Sequence, residues 1–173
     1  MPDNSDLIPN KIANSGLITI SLEDYYPQGE RRHLDIEPWL YEGVILKEKD
    51  FRAAVKEHDW TQYQDCYVSV NCSADAIIPQ WAYMLLGSQL SVYAKKVVYG
   101  SSERLESLLM DEAISNADLS EFKDQRVILK GCGHLPIPPH AYLSFVSHLQ
   151  PLAKSIMFGE ACSTVPIYKQ KKK

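Results

Sequence analysis

Three of the four cysteines sit where alternating α/β chains place their chemistry. Cys72 follows a run of strand formers, Tyr67 to Asn71, and opens the polar turn Ser73-Ala74-Asp75 ahead of an apolar helical stretch. Cys132 follows the strand-like Arg126–Gly131, and Cys162 comes three residues after the strand-like Lys154–Gly159. If those strands run parallel in one sheet, all three thiols reach its carboxyl edge, where ligands collect and helix N-termini point free N–H groups. Such N-termini, after Ser73 and at Pro138, favour thiolate. Thiolates select zinc, copper(I) and iron–sulfur centres. Three protein ligands leave one position for water, substrate or a partner's ligand. His134, two residues past Cys132, leads the candidates for a fourth ligand, ahead of Asp75 and Glu160. Ser73, Asp75, Ser163 and Thr164 add polar contacts for a group bound at the same edge, although capping and turn roles also suit them.

Cys66 begins the first of these strands. Six residues at roughly 3.3 Å each put it about 20 Å from Cys72, so it reads as a structural thiol. Buried, unconnected thiols are also what a packed core contains. The neighbours argue the other way: Asn71-Cys72-Ser73, Gly131-Cys132-Gly133-His134 and Glu160-Ala161-Cys162-Ser163-Thr164 are small, polar turns. Two rival readings stay open. Cys72 could be the nucleophile of a thiol-dependent enzyme with Asp75 or His134 as partner. Alternatively, the chain is an interaction domain with core cysteines.

The elements that must position these residues alternate. Strand-like segments at Leu17–Leu22, Tyr67–Cys72, Lys96–Gly100, Arg126–Gly131 and Lys154–Gly159 are separated by apolar helical patterns at Ile78–Tyr93, about Leu105–Ala113 and Tyr142–Leu149. Alternation of this kind predicts an α/β fold: three layers, a mostly parallel sheet and crossover helices. Residues 10–65 read as an N-terminal decoration, with Leu17–Leu22 and Arg32–Ile36 pairing as an edge hairpin and Lys49–His58 as an amphipathic helix. Residues 66–168 form the repeating core of a single domain spanning 10–168. Residues 1–9 read as disordered and 169–173 as a basic tail. No internal sequence repeat is expected.

Composition excludes several classes. The 173 residues are 45% hydrophobic and 23% charged, ordinary for a globular protein. No long apolar run or signal peptide is present, which predicts a cytoplasmic protein with no membrane partner. A net charge of −4 argues against nucleic acid. Walker, Gly-x-Gly-x-x-Gly, Cys-x-x-Cys and His-Glu-x-x-His signatures are absent.

Several blocks resemble one family. They are Leu17-Ile18-Thr19 with Leu22-Glu23-Asp24-Tyr25-Tyr26-Pro27, Lys47–Arg52, His58-Asp59-Trp60, Cys72–Ile77, Trp81–Leu86, and Phe158-Gly159-Glu160 with Cys162-Ser163-Thr164-Val165-Pro166. Together they are similar to the DUF2480 family, from about residue 10 to residue 169. The resemblance implies an origin in the Bacteroidetes, thiols at Cys72, Cys132 and Cys162, and iron–sulfur assembly proteins as partners. It carries no activity. The combined expectation is an accessory protein binding zinc, iron or an iron–sulfur cluster through those three cysteines.

Overall fold

The computed structural model describes residues 16–131, 133–160 and 163–171. The expectations for residues 1–9, for the first residues of the N-terminal decoration (10–15) and for 172–173 of the basic tail lie outside them. Two compact units divide the chain: an inserted unit, Pro27–Leu109, and a flanking unit made of residues up to Tyr26 and from Met110 onward. Their strands form two separate sheets rather than one. The mixed α/β class with predominantly parallel sheets and crossover helices is as expected.

The inserted unit orders strands β2 (Arg31–Asp35), β3 (Tyr67–Asn71) and β4 (Lys96–Tyr99) side by side, all parallel; β1 belongs to the flanking unit. Crossovers are made by α1 (Glu48–Glu57) and α2 (Gln80–Leu90). Phe51 and Val55 of α1, one helical turn apart, are buried. They meet Ala82, Leu86 and Leu90 of α2 over Leu34, Val68 and Val70. The opposite face of the sheet presents Val98 to Leu105 and Leu109, from the first turns of α3 (Ser102–Ser115). This unit therefore has three layers.

The flanking unit orders β1 (Leu17–Ile20), β5 (Arg126–Leu129), β6 (Ser155–Glu160) and β7 (Ser163–Lys169). The first three are parallel and β7 returns antiparallel along β6. Ala141, Phe145 and Leu149 of α4 (Pro139–Leu149) pack with Met110, Ile114, Val127, Leu129 and Ile156. Pro139 stands in the first turn of α4, where a missing N–H costs nothing.

Three expectations need correction. The N-terminal hairpin does not exist: β1 pairs with β5 and β2 with β3, so these two segments are the outer strands of different sheets. Alternating hydrophobicity reports a half-buried strand but not its neighbour. Ser163 and Thr164 belong to a strand, not a loop, and Lys169 of the supposed tail pairs with Ser155.

The third correction is that the chain does repeat itself. Residues separated as Asp65 is from Asp124 hold the same places in the two units. Both aspartates adopt left-handed backbone, φ 58° and 60°. Asp65 N–H donates to Tyr93 O and Asp124 N–H to Leu152 O, both at 2.9 Å. Asp59 and Asp118 each accept the N–H two residues on, from Thr61 at 3.0 Å and Ser120 at 2.9 Å. Ala82, Leu86 and Leu90 correspond to Ala141, Phe145 and Leu149. The edge-to-face pair Tyr83–Tyr99 corresponds to Tyr142–Phe158. One βαβαβ plan has been used twice.

Candidate functional site

In the flanking unit, β5 and β6 are parallel neighbours with Leu129 opposite Phe158, so the chain leaves both at one edge. The turn after β1 and the loop after β5 meet there around a cavity of about 220 Å³, lined by Ser21, Glu23, Lys130, Gly131, Gly133 and Tyr142 among others. Glu23 organises it. Its Oε1 accepts the N–H of His134 and, at 2.6 Å, that of Leu135. These bonds, Leu135 first, hold the Glu23 carboxyl below the ordinary carboxylate range against the opposing effect of burial. Ser21 Oγ in turn accepts the Glu23 N–H at 3.4 Å.

The glycines at 131 and 133 are each closely approached by a side chain, which a larger residue would have to displace. A Cβ on Gly131 would lie 2.6 Å from Phe158 Cζ, and one on Gly133 would lie 2.5 Å from Glu23 Oε1. Cys132 and Cys162 themselves lie outside the described residues. His134 is exposed, with its backbone committed to Glu23. Ser163 pairs with Glu160 at the start of β7, while Thr164 Oγ1 lies 3.7 Å from Met157 Sδ.

The inserted unit builds its edge differently. Asp35 Oδ1 accepts the N–H groups of Glu37 and Ser73, each at 3.0 Å. Burial works to raise the Asp35 carboxyl, but the Ser73 hydroxyl and those two N–H groups outweigh it and hold it low. Cys72 is half-buried against the core of α1 and α2. Burial, with the charges of Asp35 and Glu37, pushes its thiol up despite a bond from the Ala74 N–H. Burial and the neighbouring Tyr99 and Cys72 push Tyr83 up to about 12.

Helix α2 begins at Gln80, capped by Pro79 without a side-chain bond. The helix therefore does not start beside Cys72, and exposed Asp75 does not cap it. The proline at 79 sets the start later because the residue before it is held extended. The single sheet on which the expected grouping of the three cysteines rested is corrected: β3 belongs to one sheet, β5 and β6 to the other. Among the described residues, no group of three or more His, Cys, Asp and Glu could hold a metal ion. Glu23 and Asp35 are the clamps of the two edges. The signal for Glu23 was the pair of glycines around Cys132, which implies a close neighbour.

Fold and site together define a duplicated α/β protein with two predominantly parallel sheets, one of which carries a glutamate-clamped loop beside a cavity at its carboxyl edge. A family model described as "Protein of unknown function (DUF2480)" matches residues 6–170. The chain belongs to that family. No curated protein and no solved structure matches it. Among the described residues, no helix is long and apolar enough to cross a membrane.

Proposed function

We propose that this chain is an accessory protein that holds a zinc or iron ion, or an iron–sulfur centre, at the carboxyl edge of the flanking sheet. Cys132 and Cys162 supply thiolates, and His134 and Glu160 are the nearby candidates to complete the ligand set. The observation that carries this reading is the parallel pairing of β5 with β6. Cys132 comes three residues after Leu129 and Cys162 two after Glu160 in sequence, and neighbouring strands are only about 4.8 Å apart. Cys72 follows a strand of the other sheet and has a raised thiol, which supports a structural role for it and speaks against a nucleophile. Holding or passing a centre among iron–sulfur assembly proteins, in the cytoplasm of Bacteroidetes, is the setting that fits this chemistry.

The test is metal content and visible absorption after anaerobic purification and reconstitution with zinc or iron. Wild type and C72S are expected to bind the centre, while C132S and C162S each lose it by at least about tenfold. Equal loss in C72S would reinstate a three-thiol site. A wild-type protein that takes up neither metal would remove the proposal.

A further inference from the structure

We infer that the inserted unit carries a ligand site of its own, a pocket for an alkylammonium group bounded by the rings of Tyr83 and Tyr99 at the carboxyl edge of its sheet. It lies in the other unit from the proposed metal centre and does not depend on it.

The pocket has a volume of about 380 Å³ and is lined by Ile78, Gln80, Tyr83 and Tyr99. Tyr99 ends β4 and Tyr83 stands in the first turn of α2. The pocket therefore sits just past the strand ends, where parallel sheets collect ligands. The duplicated plan builds a recess there twice. Ile78 and Tyr83 hold the positions of Ile137 and Tyr142, which line the cavity of the flanking unit. A recess kept in both copies while its surroundings changed belongs to the plan and not to one loop.

The walls give the ligand its chemistry. The Tyr83 and Tyr99 ring centroids are 4.9 Å apart with planes at 72°, so the rings meet as a corner and not as a stack. Tyr99 is largely exposed, which leaves ring surface open to a ligand. Aromatic faces attract cations, and quaternary ammonium groups above all. Asp35 is held ionised by its N–H and hydroxyl donors. Its charge acts on Tyr83, and with that of Glu37 on Cys72, so two carboxylates stand along this edge. Gln80 opens α2, whose free N–H groups carry the opposite field, equivalent to roughly half a positive charge. Two whole negative charges outweigh it. Ile78 adds an apolar wall for methyl or methylene groups. The flanking cavity differs on both counts: Lys130 lines it, and Phe158, the counterpart of Tyr99, is folded against Gly131.

The experiment titrates choline into the full chain, against the uncharged alcohol in which carbon replaces its quaternary nitrogen, and follows the tyrosine ring protons by NMR. Wild type is expected to bind choline saturably and at least about fivefold more tightly than the uncharged isostere. Tyr99→Leu is expected to weaken choline by about three- to thirtyfold, and Tyr99→Phe to stay within about twofold of wild type. Thermal transitions establish that each variant is folded. Nα-acetyl-Nε-trimethyllysine amide is titrated alongside: binding tighter than choline assigns the group to a protein side chain, weaker binding to a small molecule. Equal affinity for choline and its isostere overturns the inference on wild type alone. So does unchanged choline binding in a folded Tyr99→Leu variant, or the lack of any saturable shift by about 50 mM choline.

Discussion

The two units share their interiors and differ at their edges. In both, the helix after the middle strand buries alanine, a large residue and leucine at successive turns: Ala82, Leu86 and Leu90 in one copy, Ala141, Phe145 and Leu149 in the other. In both, a turn-capping aspartate and a left-handed aspartate precede that strand. Past the carboxyl ends the copies part. Cys72 stands where the flanking unit has Gly131, and Cys132 stands where the inserted unit has Ser73. Tyr99 is 64% exposed, whereas its counterpart Phe158 is folded back against Gly131. After the third strand the inserted unit continues into α3, and the flanking unit turns back as β7. Packing physics holds the shared part fixed, since every buried methylene is felt. The rims are free to diverge, and there the candidate chemistry differs.

The largest expected effect tests the shared part. Leu90 and Leu149 are both fully buried at equivalent positions. Leu90→Ala and Leu149→Ala should each destabilise by about 2–5 kcal/mol in urea unfolding, from lost transfer energy plus the cavity left behind. A cost under about 1 kcal/mol at either position would break the equivalence.

A smaller effect tests the divergent part. Gly131→Ala places a methyl into the Phe158 ring and should cost about 1–3 kcal/mol through overpacking. Adding Phe158→Leu should return much of that loss, because the ring is the obstacle. A neutral Gly131→Ala would show that the ring gives way freely and does not confine this turn.

The helices and strands of the middle and last thirds were legible because their apolar spacing is strong. Leu105 and Leu109, or Phe145 and Leu149, announce a helix face without help from the rest of the chain. Which strand lies beside which was not legible. Leu17–Ile20 and Arg31–Asp35 read as a hairpin because they are consecutive and separated by a turn, yet each pairs with a strand far along the chain. The duplication was hidden because most equivalent positions keep only character: Leu86 against Phe145, Val55 against Ile114. The cysteines misled further, since Cys72 and Cys132 look like counterparts and fall one position apart in the aligned copies. Pro166 and the Ser163-Thr164 pair disguised β7 as a turn.

The smallest expected effect concerns a residue that only one copy has. His58 sits between Trp39, Trp60 and Tyr63, with ring centroids 5.1, 4.8 and 5.7 Å away. Its Nε2 lies 3.1 Å from Tyr63 Oη and 3.2 Å from the Gln62 amide. Ala117 holds the matching position in the flanking unit. Burial pushes the imidazole down from its ordinary value against the opposing charge of Asp59. A histidine whose folded pKa is depressed binds fewer protons folded than unfolded, so its contribution is intact above about 6.5 and falls as pH drops toward the folded value. Urea midpoints at pH 7.5 and 5.5 should therefore separate more for wild type than for His58→Gln, the other histidines cancelling in the difference. Equal separations would mean that the aromatic setting does not discriminate between the two protonation states, and this contrast between the copies would carry no pH dependence.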